Sequence, residues 1–350
     1  MDKKDKNTFY ELDQHAVLSE MEKCGFSVSG HCMALNSYEN RVYDIRLEDG
    51  AHIVAKFYRP GRWSMEQIQE EHDFLFQLRD AEIPVCAPVL FDDGTSIHEA
   101  DGIYYAVWPR TGGRITDEFT DIQLGMLGRY VARIHNTGAA EKCSHRISLT
   151  GENYGLKPLR FLLDNDFIPG VFIDRYTNAV NEVVRLYDGL SAGVPFHRVH
   201  GDCHHGNLLN GNDGFFFLDF DDFLNGPAVQ DVWMIVPARD PHGLHQREVF
   251  LDAYREFRDF SNSWLALIEP LRMLRFIHYA GWIARRWTDP AFPHIFPHFG
   301  TDQYWEQETR DLENQLEYIY SKKGLLPDEY RKIEEEPESD LTNSDFFWDM

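Results

Sequence analysis

The stretch His200–Asn207, HGDCHHGN, and the run after it at Gly214–Phe223, GFFFLDFDDF, decide how this chain is read. Histidines, a cysteine and several carboxylates crowd together between glycines and phenylalanines. The residue types admit a transition-metal site, a phosphoryl-transfer site, or a polar loop beside a buried strand. Adjacent Cys203, His204 and His205 cannot all converge on one tetrahedral ion, and no C-x-x-C or H-x₃-H pair stands nearby, so zinc is disfavoured. Spacing favours the second reading. Asp202 and Asn207 lie five apart, and Asp219 follows twelve later, at the end of an apolar run. Phosphoryl transfer to an alcohol needs one carboxylate to meet the attacking hydroxyl. It also needs an amide oxygen and a second carboxylate to hold Mg²⁺ against the phosphates. Asp202 fits the base, and Asn207 and Asp219 fit the metal ligands.

The upstream sequence supplies the remaining parts. RVYDIRL, an Asp-Gly tip and HIVAKFY read as a hairpin by alternation. Lys56 sits on its second strand, mostly among apolar residues, where an unpaired ammonium is costly. Either it is an edge-strand lysine, or it holds nucleotide phosphates with a helix carboxylate to orient it. Glu71, on the helix that Ser64 caps in SMEQIQEEHDFLFQLRDAE, is the chosen partner; Glu70 is the competing neighbour. The turn before the hairpin, LNSYENRVY, has no glycine. Its Asn36, Ser37 and Asn40 are candidate hydrogen-bond donors to phosphate, and Ser37 is preferred.

The rest of the chain frames this core. IPVCAPVLFDDG and GIYYAVWPRTGGR read as two further strands. After TGGR the pattern turns helical, through DIQLGMLGRYVARIHNTG, FIDRYTNAVNEVVRLYDGL, QDVWMIV, REVFLDAYREF, the long WLALIEPLRMLRFIHYAGWIARRW and DQYWEQETRDLENQLEYIY. The last residues are acidic and polar and read as disordered. The expected organisation is an α+β, bilobal protein-kinase-like fold. It has a strand-rich, ATP-binding lobe over 1–109 with one main helix, a mostly helical lobe over 110–327 with the catalytic loop and substrate cleft, and a tail over 328–350.

Composition narrows the function further. With 34 basic against 58 acidic residues the chain lacks the cationic surface that nucleic acid or an anionic membrane demands. Five scattered cysteines argue for a reducing compartment. A charged N-terminus without an apolar core, and no long apolar run, argue for a cytoplasmic protein.

HGDxHxxN with LDFDD has the Asp-to-Asn spacing of the protein-kinase loop H-R-D-x-x-x-x-N and an Asp-Phe after the next strand. It resembles the aminoglycoside phosphotransferase/choline kinase branch of the protein-kinase-like fold. LNSYENRVY, VAKFYRPGRW, HGDCHHGN, NGPAVQDVWM, RRWTDPAFP and IEPLR together are similar to a family of bacterial stress-response serine/threonine protein kinases. The resemblance reaches to about Leu326. It implies transfer from ATP with Mg²⁺ to protein Ser/Thr hydroxyls, autophosphorylation, a monomer and a role in surviving stress. Residue by residue it implies Ser37 at the ATP loop, Asp202 and Asp219 as catalytic aspartates, and Asn207 and Asp219 as magnesium ligands. A small-molecule alcohol kinase is the alternative, because such enzymes bring a hydroxyl to the same aspartate.

Overall fold

The computed structural model describes residues 9–116, 118–211 and 214–321; the acidic stretch from 328 onward lies outside them. The chain divides into two compact units. One comprises residues up to Ile115 with Ser144–Arg146 and Asn207–Phe223; the other comprises Thr116–Cys143, Ile147–Gly206 and the chain from Leu224 on. The protein is α+β.

In the first unit the alternating residues of β1 (Val28–Leu35), β2 (Arg41–Leu47) and β3 (His52–Phe57) form an antiparallel ladder. The β2–β3 turn works as its sequence requires. Gly50 adopts a positive φ of 88°, and the Asp49 carboxylate accepts from the Ala51 amide at 2.9 Å. Inward residues Ile45, Ala55 and Phe57 are fully buried. β3 continues into β5 (Ile103–Pro109) and then β4 (His98–Ala100), giving the order β1-β2-β3-β5-β4. Residues 83–94 differ from the expected strand: their one bridge joins Val85 to Phe217. Pro84 and Pro88 have no N–H to donate to a ladder, so β4 takes the edge position instead.

After α1 (Gln14–Lys23), which precedes β1 in the chain, α2 (Met65–Asp80) begins at a reciprocal capping box. Ser64 accepts from the Gln67 amide, and Gln67 accepts from that of Ser64. Ile68, Glu71, His72, Leu75 and Leu78 follow at helical spacing and form its buried face. A three-stranded sheet of β6 (Arg114–Ile115), β8 (Leu208–Gly211) and β9 (Gly214–Phe217) completes the unit.

The second unit is built on α3 (Asp121–Ala140), α4 (Lys157–Asp164) and α5 (Ile173–Ser191). A short ladder follows, of β7 (Phe196–Val199) with β10 (Leu224–Pro227). Then come α6 (Val229–Ile235), α7 (Pro241–Arg255), α8 (Ile268–Arg286), the single turn α9 (Phe292–Ile295) and α10 (Asp302–Ser321). Where α3 meets β7, a Cβ on Gly138 would stand 2.1 Å from the Arg198 carbonyl oxygen, so only glycine permits that approach. Among the described residues no helix is long and apolar enough to cross a membrane.

Candidate active site

Lys56 lies on β3 with its side chain directed into the first unit, and it is 8% exposed. Three carboxylates surround its ammonium: Asp221 at 3.3 Å, Glu71 at 3.4 Å and Asp219 at 3.6 Å. Burial acts against the charge of Lys56, but Asp221 and Glu71 outweigh it and hold the ammonium protonated well above its ordinary range. Tyr58 and Trp108 place their rings 4.8 and 5.1 Å from the nitrogen, which suits a desolvated cation.

Helix phase decides between the two glutamates. Glu71 shares the buried face of α2 with Ile68, Leu75 and Leu78. Glu70 points elsewhere, and its carboxylate accepts from the backbone amides of Ser144, His145 and Arg146. That clasp brings in a residue with no local signal in the sequence. Arg146 donates to Glu71 at 3.0 Å, to the Gln67 carbonyl at 2.8 Å and to the Asp221 carbonyl at 2.5 Å. Its guanidinium carbon lies 4.3 and 4.5 Å from the ring centres of Trp63 and Phe223. Glu71 is thus held between two cations. Burial still dominates and pushes its carboxyl up to about 7.

Asp219 adopts left-handed backbone geometry, φ 51°, uncommon for a non-glycine residue and typical of functional turns. Its side chain is 56% exposed. The next residue, Phe220, is buried and packs edge-on against Phe74 of α2, which fixes the turn to the helix that carries Glu71. Asn207 is adjacent, because its carbonyl accepts from the Leu218 amide at 2.9 Å. The two neighbouring aspartates are differently committed. Asp221 is buried, bound by Arg62 at 2.6 Å and by the Asn40 amide at 3.2 Å. Burial raises its carboxyl, yet Lys56 and Arg62 hold it below the ordinary range. Asp222 takes the other arm of Arg62 at 2.5 Å.

Asn40 closes the glycine-free turn. Its carboxamide oxygen accepts from the Arg59 backbone N–H, and its own backbone N–H donates to Ser37 Oγ at 3.2 Å. The Arg59 guanidinium donates to the Glu39 and Tyr38 carbonyls. Hydrogen bonds hold the turn where a glycine-rich loop relies on conformational freedom. Asn40 is buried and used internally, which removes it as a phosphate donor; Ser37 stays exposed.

In the second unit, Asp202 lies in the loop after β7. One carboxylate oxygen accepts from Arg275 of α8 at 2.8 Å, and the other faces His204 Nε2 at 3.4 Å. Burial raises its carboxyl, but Arg275 and His204 prevail and hold it well below the usual range. The loop is fixed from beneath by Asp231, which accepts from the His200 and Gly201 amides, each at 2.9 Å, and from His135. Burial raises Asp231 too, and the His135 contact overturns that and keeps it ionised. The histidines that catch the eye are occupied within the fold. His200 accepts from the Asp202 amide, His204 from the Gly206 amide, and His205 donates to the Ile235 carbonyl.

The chain thus carries a strand lysine paired with a helix glutamate, an Asp-Phe turn in left-handed geometry and, in its second unit, an H-G-D loop clamped by a buried aspartate. The chain belongs to the phosphotransferase enzyme family, whose sequence model matches residues 31–267. Within it the chain is 38% identical to stress response kinase A of Escherichia coli K12 over 320 residues, 89% of this chain and 95% of that protein. It is 36% identical to the serine/threonine protein kinase RdoA of Salmonella typhimurium LT2 over 317 residues, 89% of this chain and 95% of that protein. Among solved structures, the amicoumacin kinase hAmiN in complex with AMP-PNP, Ca²⁺ and Ami shares the fold. Its TM-score is 0.69 at 21% identity, covering 87% of this chain and 96% of that one. A microcompartment-associated aminopropanol kinase does so with a TM-score of 0.65 at 19% identity, covering 87% and 98%.

Proposed function

We propose that this protein is an ATP- and Mg²⁺-dependent kinase that phosphorylates Ser and Thr hydroxyls of proteins, itself included. It would act as a cytoplasmic monomer in a bacterial stress response. The observation that carries the reading is the buried Lys56 ammonium ringed by Glu71, Asp219 and Asp221. A protein spends several kcal/mol desolvating such a group, and contact with nucleotide phosphates gives the arrangement a use. The named relatives, one of them called a serine/threonine protein kinase, support protein as the acceptor.

In this reading Lys56, held by Glu71, binds the phosphates, and Ser37 contributes a hydroxyl at the β1–β2 turn. Asn207 and Asp219 would hold Mg²⁺ through the oxygen donors that ion takes, and the ion would supply neutralisation of phosphate charge. Asp202 orients the acceptor hydroxyl and takes its proton late. A carboxylate held so far down by Arg275 and His204 is a weak base, so positioning carries most of its effect.

The fold neighbours favour a second reading, a small-molecule alcohol kinase, since amicoumacin kinase and aminopropanol kinase are named for such acceptors. One experiment separates the two. The purified chain is incubated with radiolabelled ATP, a generic protein acceptor and a panel of amino alcohols, sugars and aminoglycosides. Label on protein Ser/Thr, abolished by Asp202→Asn, is the expected result. Label confined to a small molecule refutes the protein-kinase reading, and near-normal turnover by Asp202→Asn refutes the base.

A further inference from the structure

Glu71 divides its two carboxylate oxygens between two cations. Oε1 faces the Lys56 ammonium at 3.4 Å, and Oε2 accepts from Arg146 at 3.0 Å. The lysine is shared, since Asp221 and Asp219 also stand 3.3 and 3.6 Å from it. Arg146 is fully committed. Nε donates to the Gln67 carbonyl at 2.8 Å, Nη1 to the Asp221 carbonyl at 2.5 Å and Nη2 to Glu71. A guanidinium presents its donors in a rigid plane, so three such bonds fix the three acceptors relative to one another. Gln67 and Glu71 belong to α2, and Asp221 lies two residues past Asp219. One side chain therefore ties the helix that carries Glu71 to the turn that carries Asp219.

The segment that bears Arg146 is gripped in its turn. Glu70 accepts from the backbone amides of Ser144, His145 and Arg146, and the Gln67 carboxamide donates to the His145 carbonyl at 2.9 Å. Consecutive glutamates of α2 thus hold one tripeptide, Glu70 by its backbone and Glu71 by the Arg146 side chain. That side chain is buried beside Trp63 and Phe223, so its charge is desolvated and its contacts are strong. Without Arg146, Oε2 of Glu71 would stay buried with its cation gone. Lys56 would then be the remaining ion-pair partner of Glu71 among the described residues. The carboxylate would compete with nucleotide phosphate for the ammonium. With Arg146 in place, Glu71 is anchored at 3.0 Å elsewhere, and the lysine is aligned and still available.

We propose that Arg146 is a positioning residue for the nucleotide. It anchors Glu71 and the Asp219 turn to each other, so that Glu71 aligns Lys56 toward the phosphates of ATP without consuming its charge. The inference rests on the kinase reading above and holds whether the acceptor is a protein or a small alcohol, because it concerns the ATP side of the reaction.

The test measures MgATP binding to the full chain by calorimetry, and steady-state transfer to dephosphorylated casein. Arg146→Met should raise the dissociation constant and the KM for ATP at least tenfold, while the KM for casein stays within twofold. General loosening of the fold would not separate the two. Arg146→Lys keeps the charge but not the fork and should fall between. Because Arg146 acts through Glu71, the double variant Arg146→Met/Glu71→Gln should bind MgATP no more than twofold worse than Glu71→Gln alone. Glu70→Ala, which removes no buried charge and frees the tripeptide, should weaken binding at least threefold even if Arg146→Met fails to fold. A folded Arg146→Met with wild-type affinity for MgATP overturns this inference and leaves the kinase reading standing. So does unchanged binding by both Arg146→Lys and Glu70→Ala. Additive losses in the double variant overturn the route through Glu71. A wild-type chain that binds no MgATP overturns both readings.

Discussion

Replacing Asp231 by Asn tests how the H-G-D loop is held. The carboxylate of Asp231 accepts from Gly201 N–H on Oδ1 and from His200 N–H and His135 Nε2 on Oδ2, all at 2.9 Å. Side chain and partners are buried. An Asn of the same shape has one oxygen. In either flip its NH₂ group faces a backbone N–H of the loop, donor against donor. His135 can adapt by moving its proton to Nδ1, where it would donate to the Tyr254 hydroxyl now 2.8 Å away. The backbone amides have no such freedom. One charge-assisted hydrogen bond, worth about 1.5–3 kcal/mol, is lost, and one buried N–H is left unsatisfied at about 1–3 kcal/mol. After partial relaxation the expected loss is about 3 kcal/mol of unfolding free energy in urea at neutral pH, together with a fall in phosphotransfer rate. His135→Gln keeps both amide contacts and should cost about 1 kcal/mol. A loss below 1 kcal/mol for Asp231→Asn, or an equal loss for His135→Gln, would refute the view that the carboxylate works by clamping the loop backbone.

Two further outcomes are expected. Burial, reinforced by Lys56 and Arg146, pushes His72 down to about 3 while Tyr58 and Ser96 bind its two nitrogens. The unfolded chain takes up a proton near pH 6.5 that the folded chain refuses, so this contribution is complete above that pH and is lost as pH falls toward 3. Wild type should therefore lose about 2 kcal/mol more than His72→Gln between pH 6.5 and pH 5 in urea titrations; parallel pH profiles would count against it. Gly138→Ala should destabilise by at least about 2 kcal/mol, because its Cβ would meet the Arg198 carbonyl at 2.1 Å and backbone cannot yield as a side chain can. A neutral effect in thermal denaturation would show that α3 and β7 slide apart freely.

How much was legible in advance depended on range. The β2–β3 hairpin, the Ser64 cap and the helices α3, α5 and α8 announce themselves because alternation, turn residues and caps act over a few neighbours. The same is true of the Asp202, Asn207 and Asp219 spacing, since one loop and one strand set it. The choice of Glu71 over Glu70 was also readable, as the phase of Ile68, Leu75 and Leu78 assigns the inner face. The 83–94 segment was misread because its apolar residues look like a strand, while its prolines remove the hydrogen bonds a strand would make. What the sequence could not disclose were partners brought from far along the chain: Arg146 on Glu71, Arg275 on Asp202, Asp231 under His200 and Gly201, Arg62 on Asp221. Each is an ordinary polar residue in its own neighbourhood. Its role arises only when folding excludes water around a distant charge, and the cost of leaving that charge unpaired selects the partner.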